Sequence, residues 1–336
     1  MQNTAAGLSL LIVAAAMNAS FALPMKFTRK WAWENTWLAW SIFALVLLPI
    51  SVTLLTVPSL GDVYSRAGLA SVLKVAAYGA GWGVSQVLFG LALQSVGIAL
   101  TFSIVLGLSA AMGSLIPLFS LHQDKMFSPA GGAIFAGVVL VIAGVAVCAI
   151  AGRMRDQAQG QADSSNKPFA RGLAMAIAAG ICASLMNFGV AFGGSLVSAA
   201  ASAGARPEWT INTIWLPLMM GGAVPNILYC LFLLRRNRTS ANFNVNGTSS
   251  YWLLAMVMAI FWFGSTLMYG VASGRLGEMG AVLGWPLFMS LIVIGASVVG
   301  VLTGEWKSSG SKPLRIQMTG VAVLVIAVIV LSRASL

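Results

Sequence analysis

Residues 131–151 read GGAIFAGVVLVIAGVAVCAIA, twenty-one positions without a charge, and residues 152–168 read GRMRDQAQGQADSSNKP, the most polar stretch of the chain. A run of about 20 apolar residues is what one helix needs to cross a bilayer core, because unpaired backbone groups cannot be left in hydrocarbon. Working outward from this junction, nine further apolar stretches of the same kind appear, at 5–25, 36–57, 69–93, 98–119, 170–192, 212–234, 250–272, 279–303 and 314–332. Turn chemistry marks their breaks: Pro58 with Gly61, Gly97, Ser128-Pro129, Arg206-Pro207, Gly274 with Gly277, and Lys312-Pro313. The sixth stretch runs on toward Ala200. The expected fold class is therefore an all-α membrane protein of ten transmembrane helices.

Composition supports that class. Of 336 residues 59% are hydrophobic and 8% are charged, against about 25% charged in a soluble domain. The net charge of +11 would suggest nucleic acid in a soluble protein. Here the basic residues lie in short loops between apolar runs, so no nucleic-acid partner is expected and the bilayer is. Cys148, Cys182 and Cys230 sit inside apolar runs without CxxC spacing and read as small packing residues. The first run lacks a basic leader and is long enough to span, so it reads as a retained helix.

Loop charge gives an orientation. Lys26, Arg29 and Lys30; Arg153, Arg155, Lys167 and Arg171; Arg235, Arg236 and Arg238; and Lys307, Lys312 and Arg315 fall on one side. The other side holds Arg66, Lys125, Arg206, Arg275 and Arg333. The positive-inside bias places the richer set in the cytoplasm and both termini outside.

The polar connector, 153–169, divides the chain into five spans over 1–152 and five over 170–336. Shifting the third span by 180 residues lays Trp82 on Trp262, Ser85 on Ser265, Phe89 on Tyr269, Gly90 on Gly270, Ala92 on Ala272 and Gly97 on Gly277. An odd number of spans per half inverts one copy relative to the other. Two inverted five-helix repeats are the architecture of alternating-access carriers, with substrate near the midplane between them.

Several segments carry a family likeness: Lys30-Trp31-Ala32-Trp33-Glu34-Asn35-Thr36-Trp37, then Gly79-Ala80-Gly81-Trp82-Gly83 with Phe89-Gly90-Leu91. Gly107-Leu108, Gly113-Ser114-Leu115, Pro117 and Gly304-Glu305-Trp306 extend it nearly end to end. On these residues the chain resembles the L-rhamnose–proton symporter family of the drug/metabolite transporter superfamily. The resemblance implies ten helices, a bacterial inner-membrane location and proton-driven uptake of a deoxyhexose. One stretch departs from it. Rhamnose carriers bear an aspartate ahead of a Ser-Trp pair at the start of the ninth span; here Ala281-Val282-Leu283-Gly284-Trp285 keeps only the Trp.

A monosaccharide needs hydrogen-bonding groups for its hydroxyls and a flat aromatic face for its C–H surface. Tyr78, Trp82, Ser85, Gln86 and Phe89 form one stripe of the third span, and Trp262, Ser265, Thr266 and Tyr269 repeat it in the eighth. Asn18, Asn187 and Trp285 complete the candidate sugar site. The alternative is that such stripes pack helices, with Ser and Thr bonding back to their own backbone. Crowded glycines, among them Gly79, Gly81, Gly83 and Gly90, point to close helix packing.

The coupling ion, a proton or else sodium, needs a group that each side reaches in turn. Glu278, Glu34 and Glu305 are the candidates. Glu278 sits three residues before the missing aspartate position and would share its helical face; otherwise it pairs with Arg275. Glu34 would otherwise pair with Lys26 or Lys30, and Glu305 with Lys307. His122, beside Asp124 and Lys125, reads as a surface residue, and Lys74 either snorkels outward or meets a carboxylate. No HExxH, GxSxG with a usable His, or intramembrane carboxylate pair points to an enzyme, and no metal or cofactor is expected. An exporter of small metabolites or drugs remains the alternative function.

Overall fold

The computed structural model describes residues 4–96, 98–160 and 169–333. Gly97, with its alignment to Gly277, and the connector residues 161–168, with Lys167, lie outside the described residues. Among the described residues the fold is entirely helical. Ten helices are long and apolar enough to cross a membrane: Thr4–Phe27, Trp33–Thr56, Leu69–Ala92, Ile104–Leu121, Pro129–Ala158, Phe169–Ser202, Asn212–Asn237, Ser249–Arg275, Gly280–Leu302 and Ser311–Arg333. They are called spans 1 to 10 below. Large apolar side chains face outward along them, Leu55, Val139, Leu253 and Leu302 among them, as lipid contact requires.

Local sequence explains the helix ends. Ser128 caps span 5, its hydroxyl accepting from the Gly131 N–H at 3.2 Å ahead of Pro129. At the start of span 2, the Asn35 side chain accepts from the Ala32 N–H at 3.1 Å. Span 2 then loosens into a π turn over Ile42–Leu47, just before Pro49. The wider turn makes room for a proline ring that an ordinary helix would meet as a clash. Span 6 breaks after Phe192 and resumes as Gly194–Ser202. A Cβ on Gly193 would lie 2.4 Å from the Gly189 carbonyl, so a glycine is required at that break. The short helix Leu60–Ala67 packs against this resumed segment through Val57, Val63, Ala199 and Ala200.

The packing partners follow a rule. Span 3 packs on spans 6 and 7, and span 8 packs on spans 1 and 2. Span 4 packs on spans 5 and 6, and span 9 on spans 10 and 1. Spans 2 and 7, 4 and 9, and 5 and 10 pack on each other. Exchanging every span with the one five places along maps each of these pairs onto another of them or onto itself.

Spans 3 and 7 meet at backbone distance. A Cβ on Gly79 would fall 1.8 Å from the Leu218 carbonyl, on Gly83 2.5 Å from that of Gly222, and on Gly221 2.0 Å from that of Ala76. The glycines there act as close-packing residues.

Candidate functional site

Span 3 buries Trp82 and span 8 buries Trp262, and the two indoles stack with ring centroids 5.3 Å apart and planes 25° from parallel. Trp82 can reach this position because its ring lies against Gly222 of span 7, where a Cβ would come within 2.7 Å of the ring. Trp40 of span 2 meets Trp262 edge-on at 5.1 Å. Trp37 packs on Trp40 at 4.4 Å, and Trp33 stacks on Trp37 at 5.1 Å. Five indoles thus form a column running from an exposed ring at Trp33 to the buried central pair.

Hydrogen-bonding groups surround the column. The Trp37 indole donates to Asn226 Oδ1 at 3.1 Å, and Asn226 donates to the Gly222 carbonyl. The buried Trp40 indole N–H has no partner among the described residues. Ser85, also buried, accepts from the Gln86 amide at 3.3 Å. Asn18 of span 1 donates to Ser265 Oγ at 2.9 Å. The Ser265 and Thr266 hydroxyls both donate to the Trp262 carbonyl of their own helix.

A second layer lies seven residues farther along span 8, about 10 Å at 1.5 Å per residue. Tyr269 donates its hydroxyl to Asn187 Oδ1. The Asn187 amide donates to the Gly113 carbonyl at 2.7 Å and to the Ala281 carbonyl at 2.9 Å. One carboxamide therefore ties span 6 to spans 4, 8 and 9. Trp285 donates to the Ser109 carbonyl, and Ser114 to the Val282 carbonyl. The Tyr269 ring stacks on Phe288 and meets Trp285 edge-on. Every polar side-chain atom of this layer is engaged by another helix, so it fastens the bundle in this state.

The third-span stripe divides. Trp82 and Ser85 are buried. Tyr78 instead packs on Phe188 and Phe192 of span 6, with the Lys74 ammonium 5.3 Å over the Phe192 ring. Lys74 meets aromatic faces there, and no carboxylate pairs with it among the described residues. Phe89 packs edge-on against Phe102, in the part of the helix Ile98–Leu121 that precedes span 4. Side-chain size and polarity place residues on a face; the neighbouring helices decide which of them reach the axis.

The acids are arranged differently from the expectation. Glu278 lies two residues ahead of span 9, which begins at Gly280, and its side chain is 75% exposed. It pairs with Lys125 at 2.9 Å rather than with Arg275. Hydrogen bonding and charge from Lys125 hold its carboxyl below the ordinary range. Outside the helix it shares no helical face with the vacant aspartate position, so the shared-face argument for it does not hold. Glu305 takes Lys26 at 2.7 Å and Arg155 at 3.2 Å, not Lys307. The Lys26 hydrogen bond, with charge from Lys26 and Arg155, keeps it below the ordinary range. Glu34 has neither expected lysine, since Lys26 goes to Glu305 and Lys30 donates to the Asn246 carbonyl. Its Oε1 accepts from Thr239 at 2.6 Å and Asn237 at 3.0 Å.

Sequence reasoning passed over Trp40, Trp37, Asn226, Asn237 and Thr239. A signal for the first two was present: Trp33, Trp37 and Trp40 recur at i, i+4 and i+7, one helical face. Asn237 and Thr239 carried none, because they meet Glu34 only through the fold.

The comparisons with known proteins agree on one family. The family described as L-rhamnose-proton symport protein matches residues 1–335. The L-rhamnose-proton symporter of Mannheimia succiniciproducens is 29% identical over 323 residues, 94% of this chain and 93% of the relative. The L-rhamnose-proton symporters of Yersinia pestis (strain Pestoides F) and Escherichia coli O17:K52:H18 are 28% and 26% identical, each over 94% of both chains.

Proposed function

The chain belongs to the L-rhamnose-proton symport protein family, and from that premise we propose that it takes up a neutral monosaccharide, L-rhamnose or a close relative, together with a proton across the bacterial inner membrane. The carrier works by alternating access between two inverted five-helix halves, 1–152 and 170–336, with both termini outside. The exchange of packing partners between spans five places apart supports the two halves. Consecutive spans alternate direction, so an odd number per half reverses the second copy.

The observation that carries the reading is the Trp82–Trp262 stack, one indole from each half at the line where the halves meet. A deoxyhexose is a ring with a C–H face and a hydroxyl rim. Indole faces cover the first, and Ser85, Gln86, Asn18 and the unpartnered Trp40 N–H answer the second. In this conformation the two rings cover one another. Parting the halves on one side uncovers both faces, and sugar replaces the ring–ring contact, which is worth about 0.5–1.5 kcal/mol. Asn187, Tyr269 and Trp285 act as the fastening across spans 4, 6, 8 and 9, while Tyr78 and Phe89 support the third span from outside the site. Uptake is favoured over export by the relatives' names, all of them symporters.

Labelled L-rhamnose uptake into proteoliposomes tests this. Accumulation above equilibrium with an inward proton gradient, and none with a sodium gradient alone, is the expected result. Uptake indifferent to both gradients contradicts symport.

A further inference from the structure

We propose that Glu34 is the site where the co-transported proton binds, and that protonating it releases span 7 from span 2. The inference rests on the symport reading above and adds the residue and the device.

The carboxylates of the described residues sort into three kinds. Asp62, Asp124, Glu208 and Glu278 are exposed. Asp156 is buried but clamped by Arg155 through Nε at 2.9 Å and Nη2 at 2.8 Å, and Glu305 is held by Lys26 and Arg155. Glu34 alone among them is buried, at 5% exposure, with neutral donors and no ion pair. A cation beside a carboxylate keeps it charged, whereas at Glu34 burial opposes the charge and two neutral donors support it, so a proton binds when those donors withdraw. A group that must gain and lose a proton in each cycle belongs to the second case.

The surroundings are built for that group. Span 7 ends at Asn237, and Arg238 follows with φ +56°, in the left-handed region that strains a non-glycine residue. That strained residue turns the chain so that Thr239 comes back beside span 2. There its hydroxyl meets Glu34, and its carbonyl accepts from the Asn35 amide at 3.0 Å. The donor Asn237 is itself exposed, so a modest movement of the span 7 terminus opens Glu34 to water on the side assigned to the cytoplasm. The titratable and charged neighbours are Lys30 before span 2, Tyr229, Cys230, Arg235, Arg236 and Arg238 on span 7, and Tyr251 on span 8. Lys30 is engaged by Asn246, and none of the arginines forms an ion pair with Glu34.

The step is a proton transfer without redox change. A proton that enters from the outer water with the sugar forms an O–H bond on the Glu34 carboxyl. The neutral acid is a weaker acceptor for Thr239 and Asn237, so the two spans part at that end. Sugar leaves inward, the proton returns to cytoplasmic water, and the recharged carboxylate recaptures both donors.

Proteoliposomes holding the full chain test this with labelled L-rhamnose and a pH-sensitive dye. Wild type is expected to move protons when sugar is added; if it carries sugar without protons, the symport reading itself falls. With wild type coupled, Glu34→Gln, which keeps an acceptor for both donors, is expected to retain sugar counterflow. Its accumulation and sugar-driven proton movement are expected to drop tenfold or more. Wild-type proton movement in Glu34→Gln, or loss of counterflow along with accumulation, overturns the assignment. Thr239→Val removes one donor to the charged form, so the pH of half-maximal accumulation is expected to rise by about half a unit or more, with Thr239→Ser restoring it. An unchanged profile in Thr239→Val likewise overturns it.

Discussion

The indoles of Trp82 and Trp262, which the repeat alignment lays on one another, are in face-to-face contact at 5.3 Å. Each also touches one of the other pair of equivalent spans: Gly222 of span 7 lies against Trp82, and Trp40 of span 2 meets Trp262 edge-on. Both rings are therefore held at the line between the halves by spans that also pack on each other. A sugar reaching this point meets aromatic surface from both halves, and any relative movement of the halves changes its surroundings.

Trp40 carries a buried indole N–H with no acceptor beside this pair. Trp40→Phe keeps an aromatic edge against Trp262 and removes the donor. L-Rhamnose affinity is expected to fall roughly fivefold, about 1 kcal/mol for one hydrogen bond, with the melting temperature unchanged or higher. Equilibrium binding and thermal unfolding in detergent read the two effects separately.

Tyr269→Phe deletes the donor to Asn187 Oδ1 at a site both residues bury completely or nearly so. An unsatisfied buried acceptor costs about 1–3 kcal/mol, so the variant is expected to unfold at a lower temperature. A cysteine at Ala281, whose carbonyl the same carboxamide holds, should then react faster with a membrane-impermeant thiol reagent. Equal reactivity with and without the Tyr hydroxyl would remove the fastening role.

Gly79→Ala and Gly221→Ala each place a methyl about 2 Å from a carbonyl oxygen of the facing helix. Spans 3 and 7 must then separate, and the yield of monodisperse protein is expected to fall severalfold. Gly90→Ala, where no atom of a neighbouring helix among the described residues lies within 4 Å of the added carbon, is the control and should extract like wild type.

The ion pairs differ in what acid does to them. Glu305 is depressed below its ordinary value of 4.5 by Lys26 and Arg155, so its contribution to stability is full above that value. It is lost as pH falls through the depressed value. Glu305→Gln is expected to lower thermal stability at pH 7 and to flatten its decline below about pH 4.5. Glu278 is depressed in the same direction, but its pair with Lys125 is exposed, and exposed pairs contribute little. Glu278→Gln should leave stability, uptake and the pH profile of uptake as they are in wild type.

The ten spans were legible because hydropathy is a property of each segment alone, and the helices start and stop within a few residues of the apolar runs. Span 5 runs longer, to Ala158, because Arg153 and Arg155 continue the helix beyond the apolar stretch. The central indoles were legible through the internal alignment, and the back-bonding of Ser265 and Thr266 to Trp262 is the alternative weighed for them from sequence. What sequence did not carry was partnership. Nothing near Glu34 in the chain announces Thr239, 205 positions away, and charge proximity in sequence pointed instead to lysines that the fold directs to Glu305 and Asn246. The π turn before Pro49 was equally hidden, since it reflects how span 2 accommodates a ring rather than a residue preference.

Equilibrium binding of labelled L-rhamnose to purified wild type, Trp82→Ala, Trp262→Ala and the double variant measures the shared aromatic site most directly. Each single change should weaken binding tenfold or more, and the double change should cost clearly less than the sum, because the two rings serve one ligand. Wild-type affinity in both single variants would place the sugar elsewhere and dismiss the paired indoles as its site.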